Sequence, residues 1–281
     1  MTVKHDDEST KPGAGGSIAG ELGVDTGGTF TDVIALENGA LAVYKIASTP
    51  DAPDAAVIDG VRHFAGDAAA DWRIVHGSTV ATNALLENNL ARTAYVANTG
   101  FADVLTIGRQ ARAELYALEP APNPVPVAPE LCFEVDARAD AHGETLVALD
   151  DAMCDALVDQ IRQSGVQAVA INLLFAFLNG SDEAAIETAL REALPDLTIA
   201  RGSRVLPEYG EYERGIATWL NAALGPTVGG YLRRLEAALD RVAIMHGAAG
   251  TVGVDQAADN AVNLLLSGPA GGLLGARFVA R

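Results

Sequence analysis

Two cysteines, Cys132 and Cys154, in 281 residues are too few for a disulfide framework, and they lack the spacing of metal ligands. They read as buried free thiols. Positive charge is also scarce, with 19 Lys and Arg against 37 Asp and Glu, a net charge of −18 and a sequence pI near 4.5. Such a surface repels nucleic acid, and no basic patch interrupts it, so phosphate-backbone binding is excluded. A substrate site could still be locally positive. No apolar run approaches the roughly 20 residues that span a bilayer; the longest, 166–178, is interrupted by Gln167 and Asn172. Residues 1–20 are polar and Gly-rich and lack the apolar core of a signal peptide. A soluble chain without membrane contact is expected, with a cytoplasmic location as the default.

What is present is enough apolar sequence, 49%, to bury a sizeable core in one large domain or two of ordinary size. The stretch Gly23-Val24-Asp25-Thr26-Gly27-Gly28-Thr29-Phe30-Thr31-Asp32 lies between two apolar segments and reads as a tight turn joining two strands. Adjacent glycines let main-chain N–H groups approach a ligand unobstructed. Thr26, Thr29 and Thr31 add hydroxyls, and Asp25 and Asp32 supply hard oxygens of the kind that hold Mg²⁺. These parts suit a nucleotide triphosphate. Taken alone, they also suit an ordinary Gly-rich hairpin.

Residues 1–20 read as a disordered leader. The segments 22–26, 31–36 and 41–46 form a three-stranded meander with an Asn38-Gly39 turn, followed by a helix at 54–64. Strands at 73–76, 93–97 and 132–137 then alternate with helices at 78–87 and 100–107, and the Pro-rich run 119–129 reads as a surface crossing or domain junction. A helix from 150, capped by Gly165, leads to a continuous apolar strand at 166–174, the kind buried on both sheet faces. The next helix starts at Ser181 as N-cap. After a strand at 197–200, residues 209–224 and 227–239 read as two helices separated by Gly225-Pro226. Segments 242–245 and 261–266 are strand-like, and Ser267-Gly268-Pro269-Ala270-Gly271-Gly272 opens a last helix whose bare surface suits close backbone approach.

Five stretches together resemble the hydantoinase A and 5-oxoprolinase family, which includes a subunit of acetone and acetophenone carboxylases. Two are the Asp25 turn and His76-Gly77-Ser78-Thr79-Val80-Ala81-Thr82-Asn83-Ala84-Leu85-Leu86-Glu87. The others are Gly100-Phe101-Ala102-Asp103-Val104-Leu105-Thr106-Ile107-Gly108-Arg109-Gln110, Val205-Leu206-Pro207-Glu208-Tyr209-Gly210-Glu211-Tyr212-Glu213-Arg214 and the Ser267 stretch. The resemblance runs from about Glu21 to the last residue. It implies an α/β fold, an actin-like, RNase H-like ATPase lobe with a mixed sheet flanked by helices, plus an inserted α/β subdomain. The domains expected are a leader at 1–20, an N-terminal domain at 21–201 and the start of a core domain at 202–281, ending before the family's second phosphate motif.

The family's chemistry opens a cyclic amide, 5-oxoproline or a hydantoin, coupled to ATP hydrolysis. By resemblance, Asp25 and Asp32 would position Mg²⁺, while Thr26, Gly27, Gly28, Thr29 and Thr31 would hold ATP phosphates. His76 would polarise the amide or assist proton transfer, or else serve as a hydrogen-bonded strand-end residue. Arg109 would pair with a substrate carboxylate or imide oxygen, or else form a surface ion pair. Thr79, Thr82, Asn83 and Gln110 complete the expected substrate site, with Asp25, His76 and Arg109 as the catalytic set. Glu211 and Arg214 are spaced as an intrahelical pair. After this helix start the family is usually rich in Thr and Ser, whereas Gly215-Ile216-Ala217-Thr218-Trp219 stands here. That departure suggests an altered substrate or a lost site. Because the resemblance stops before the family's second phosphate motif, a second lobe or a hydantoinase B-like partner subunit is expected, and the 281-residue chain alone is expected to lack appreciable ATPase activity. A ketone carboxylase subunit and a non-catalytic remnant acting by binding are the alternatives.

Overall fold

A computed structural model describes residues 20–37, 39–49, 51–111, 116, 118–119, 125–248 and 250–280. The expected leader and residues 120–124 of the Pro-rich run lie outside these. The chain opens with three antiparallel strands, β1 (Gly20–Thr26), β2 (Phe30–Glu37) and β3 (Ala40–Ala47), followed by α1 (Pro53–Ala65), β4 (Trp72–Ser78) and α2 (Val80–Leu86). Next come β5 (Thr93–Asn98), α3 (Val104–Ile107), β6 (Cys132–Val135), the hairpin β7 (Arg138–Ala139) and β8 (Thr145–Val147), and α4 (Asp151–Ser164). After β9 (Ala168–Ile171), α5 (Ser181–Ala193), β10 (Thr198–Arg201) and α6 (Gly202–Val205), the long helix α7 (Glu211–Ala238) leads to β11 (Val242–Met245), β12 (Thr251–Gly253), α8 (Val254–Asp259) and α9 (Ser267–Val279).

The strands form two principal sheets. The first has the order β12-β11-β4-β1-β2-β3; β4 runs parallel to β1 and β11, whereas the β1-β2-β3 meander is antiparallel. The second, β10-β9-β5-β6, is wholly parallel and is inserted between β4 and α7. This is the RNase H-like lobe with an inserted α/β subdomain. Because β11 and β12 join the sheet begun by β1, the division at 201/202 does not coincide with the division between the sheets.

Sequence pattern explains the placement. In β1, Leu22, Val24 and Thr26 are buried while Glu21, Gly23 and Asp25 face out, the period-2 alternation of a sheet with one packed face. Every residue of β9 is buried, because α4 and α5 cover one face of the parallel sheet and the first half of α7 covers the other. Asp150 caps α4 by accepting a hydrogen bond from Met153 N at 2.8 Å, and Gly165 closes it in the left-handed region.

Three expectations are corrected. Residues 211–238 form one continuous helix with Pro226 inside it, not two. Burial outweighs the missing N–H: Leu224, Leu232 and Leu235 are fully buried in the first lobe's core, each contributing about 1.5–3 kcal/mol, against about 3 kcal/mol for an interior proline. A helix of this length spans about 42 Å, so its first half packs on the inserted sheet and its second half on the first. Residues 261–264 form a 3-10 turn in place of a strand; Ala261 and Leu264 pack into the first core. At α5, Gly180 rather than Ser181 occupies the N-cap position, and Asn179 Oδ1 accepts from Ser181 N at 3.1 Å.

Candidate functional site

The Asp25 turn sits at the end of the β1-β2 hairpin. Gly27 N donates to Phe30 O at 3.0 Å, and Ser48 N donates to Thr29 O at 2.9 Å. Ser48 Oγ donates to Gly27 O at 2.8 Å and is hydrogen-bonded to Thr31 Oγ1 at 3.0 Å. The end of β3 therefore staples the turn, a role the sequence reading missed, since a lone Ser after a strand carries no signal. Thr26 and Thr31 are buried beneath the turn and brace it from the core side. Among the described residues, the N–H groups of Gly28 and Thr29 have no protein acceptor. Both residues are exposed.

Asp25, Asp32 and Lys45 occupy one row across the open face, with Asp25 opposite Asp32 and Asp32 opposite Lys45. Lys45 Nζ lies 2.6 Å from Asp32 Oδ1 and 4.9 Å from the centre of the Phe30 ring. The Asp25 carboxyl is raised above its ordinary value, first by desolvation and then by the neighbouring Asp32 charge. A carboxylate so placed favours a cation. Together with the unpartnered Gly28 and Thr29 N–H groups, this pair fits a magnesium-bound phosphate chain.

One helix start meets this turn, and a second rests on the first. Thr79 donates to Thr26 O through both N, at 3.1 Å, and Oγ1, at 3.0 Å, and accepts from Asn83 Nδ2 at 3.3 Å. Asn83 Nδ2 lies 3.8 Å from where a Gly28 Cβ would stand. Ser267 Oγ donates to Ser78 O at 3.1 Å, and Leu266 N donates to Thr82 Oγ1 at 3.4 Å. The start of α9 thus rests on the start of α2, and Gly271 meets Met245 Sδ so closely that a Cβ would stand 2.6 Å away. Of the glycines in that helix only Gly271 is so crowded, and by a side chain; Gly272 and Gly275 have no neighbour within 4 Å, so the expected close backbone approach is not what this structure shows for them.

His76 lies at the core, 0% exposed. Its Nδ1–H donates to Val24 O at 3.1 Å and its Nε2 accepts from the Tyr231 hydroxyl at 2.5 Å. Burial lowers its pKa to about 4, so the ring is neutral at pH 7. Burial likewise pushes the Tyr231 hydroxyl upward, with Ser78 and Thr26 bonds acting in the opposite direction. Tyr231 reaches this position from α7, 155 residues away; its tyrosine type on an apolar helix face was the one available signal.

Arg109 and Gln110 stand apart from this constellation. Arg109 pairs with Glu213 at 2.5 Å on the exposed start of α7, and Gly108 packs against Tyr212; Gln110 has a positive φ of 53°. The Glu211–Arg214 pairing is replaced by a different one. Arg214 is fully buried and donates to Asn172 Oδ1, Glu208 O and Leu173 O at 2.8, 2.8 and 3.1 Å, while Glu211 contributes its carbonyl to Asn172. Both cysteines are free and partly buried. Among the described residues, no cluster of three metal-ligating side chains occurs, and no helix is long and apolar enough to cross a membrane.

Comparison with known proteins bears on the family and the fold. Residues 21–194 match the hydantoinase/oxoprolinase N-terminal region and residues 214–281 match hydantoinase/oxoprolinase. The caprolactamase subunit alpha of Pseudomonas jessenii is 32% identical over 269 residues, covering 89% of this chain and 38% of that protein. The crystal structure of the ATP-dependent caprolactamase from Pseudomonas jessenii superposes with a TM-score of 0.77 at 29% identity, covering 89% of this chain and 39% of that one. Nucleotide-free acetone carboxylase superposes at 0.82 with 20% identity, over 92% and 40% respectively, a likeness of fold. The chain therefore spans about two fifths of these relatives' length. With both matched regions in order and together covering most of its length, the chain belongs to the hydantoinase/oxoprolinase family.

Proposed function

We propose that this chain provides the first phosphate-binding lobe of an ATP-dependent enzyme that opens a cyclic amide. The observation that carries the reading is the Gly27–Gly28–Thr29 turn beside the Asp25–Asp32 pair, held by the start of α2, on which the start of α9 in turn rests. Bound MgATP would supply a phosphoryl group to the amide oxygen, making the ring carbon an imidate-like electrophile that water can attack. The C–N bond then breaks with the ring nitrogen leaving as the amine, and a second water releases the phosphate from the carboxyl group. Asp25 and Asp32 would hold the metal, directly or through water, and the Gly28 and Thr29 N–H groups would face the phosphates. Lys45, ion-paired to Asp32, would limit the charge repulsion between the two carboxylates before the metal arrives.

On the substrate side, Thr79, Thr82 and Asn83 line the turn's flank, and Arg109, held by Glu213 apart from the turn, is left as a surface ion pair. His76 acts here as a positioning residue, because both ring nitrogens are engaged and the ring is enclosed. Any further lobe or subunit needed for turnover would close over the exposed Gly28 and Thr29. The test is to purify a tagged copy from its own cells with whatever it assembles with, and to measure ATP hydrolysis with 5-oxoproline, a hydantoin and caprolactam. Hydrolysis stimulated by a ring amide and lost in Asp25→Asn supports the reading. Stimulation by acetone plus bicarbonate instead would assign a ketone carboxylase, and no MgATP binding at all would overturn both.

A further inference from the structure

Away from the Asp25 turn, a cleft of about 390 Å³ opens at the seam between the inserted sheet and the first lobe, walled by β10, α6, α7 and α8. It gathers Arg191, Arg201, Arg204 and Arg233 in a chain whose net charge is −18. Opposing them are Glu187, Asp196 and Asp259. The carboxylates do not match the arginines one for one. Glu187 alone serves both Arg191, at 2.7 Å, and Arg201, at 2.6 Å. Arg204 reaches Asp259 only at 3.7 Å, with both side chains more than half exposed, and Arg233 forms no ion pair among the described residues.

Arg201 is already held, its Nε lying 2.6 Å from Glu187 Oε2. Glu187 is therefore taken up by Arg191 and Arg201, and Arg204 and Arg233 are the guanidinium groups left to an incoming oxyanion. The α7 wall carries Gly225 and Gly229 beside Asn221 and Arg233, with Thr198 packed where a Gly225 Cβ would stand, 2.6 Å from its Cγ2. A second hollow of about 520 Å³ shares Pro195, Asp196, Leu197, Thr198 and Arg233 with the first and continues past Pro226. The seam is thus an arginine-rimmed groove with an apolar extension.

We propose that this seam binds a small organic polyanion, its carboxylate or phosphate oxygens received by Arg204 and Arg233 and its carbon body lying along Pro195 and Leu197. Guanidinium forks match such oxyanions in bidentate geometry. Because the arginines come from the inserted subdomain and from α7, the ligand draws the two lobes together at their junction.

The experiment titrates the full chain with citrate and with pyrophosphate by calorimetry, which separates carboxylate from phosphate recognition. Two sets of variants accompany it. Arg204→Ala with Arg233→Ala removes exposed arginines without opening the core, and Gly28→Val blocks the Asp25 turn. Binding of at least one anion that weakens about tenfold or more in the double variant and persists in Gly28→Val supports the proposal. No binding of either anion overturns it, and so does binding unchanged in the double variant. Anion binding lost in Gly28→Val but kept in the double variant belongs to the Asp25 turn and also overturns it. A failure here leaves the MgATP reading of the Asp25 turn untouched, since the two sets of variants report on separate sites.

Discussion

Replacing His76 with Gln separates a pH-dependent contribution to stability from a constant one. In the folded chain the imidazole is enclosed, donates to Val24 O and accepts from Tyr231, and burial holds its pKa at about 4. In the unfolded chain it titrates near 6.5. A histidine depressed in this way is neutral in both states at pH 7, but as pH falls below about 6.5 the unfolded state takes up the proton first. The fold therefore loses stability as pH drops from about 6.5 towards 4, and gains nothing further by acidification. Between pH 7 and pH 5 the two pKa values imply a loss of about 2 kcal/mol from this one residue. Gln can keep one donor and one acceptor but carries no titrating proton. His76→Gln should lower stability at pH 7 and also flatten its acid dependence by about that amount. The assay is urea unfolding of both chains at pH 7, 6 and 5, comparing the pH dependence of the difference. Parallel curves would refute the argument, as would an imidazole nitrogen spectrum showing the folded ring protonated at pH 5.5.

Other outcomes follow from the same contacts. Arg214→Met should destabilise by about 3–5 kcal/mol in urea unfolding, because it leaves Asn172, Glu208 O and Leu173 O without their buried donor. Gly60→Val should cost about 1–3 kcal/mol, read as a lowered Tm, since a Cβ there would meet Val33 Cγ2 at 2.6 Å between α1 and β2. Asp150→Ala should cost about 1 kcal/mol through loss of the bond to Met153 N. Asp25→Asn should raise the Tm of the metal-free chain above the aspartate range, with the gain vanishing as pH falls through that range. Its carboxylate is disfavoured by desolvation and by Asp32. The same variant should bind MgATP less tightly.

The open face of the first sheet shows how far residue pattern reaches. Alternation placed Leu22 and Val24 inwards, and from that the outward position of Asp25 follows with a period of 2. The same logic leaves Ile34 and Val43 paired across β2 and β3 and exposed, which pattern alone would read as buried. At Gly225-Pro226 the local rule was sound and lost: proline disfavours helix, but a whole helix face had core to fill on both sides of it. Arg214 shows the converse. Its spacing from Glu211 suited an intrahelical pair, and only Asn172 and Leu173, just past the end of β9 and about 40 residues earlier in sequence, drew it inside.

The sequence by itself determined the local chemistry: the glycine turn with its flanking aspartates, the strand and helix periods, the Asp150 and Gly165 caps and the family these belong to. Those depend on neighbours within a few residues, where backbone sterics and side-chain alternation are already set. The tertiary structure decided which of the named residues meet. It brought Thr79 to the Asp25 turn and Ser267 to Ser78, sealed His76 against Tyr231, carried Arg109 to Glu213 and gathered the seam arginines from β10, α6 and α7. Contacts between residues so far apart in the chain are fixed by how sheets and helices share buried surface, and no local pattern encodes that choice.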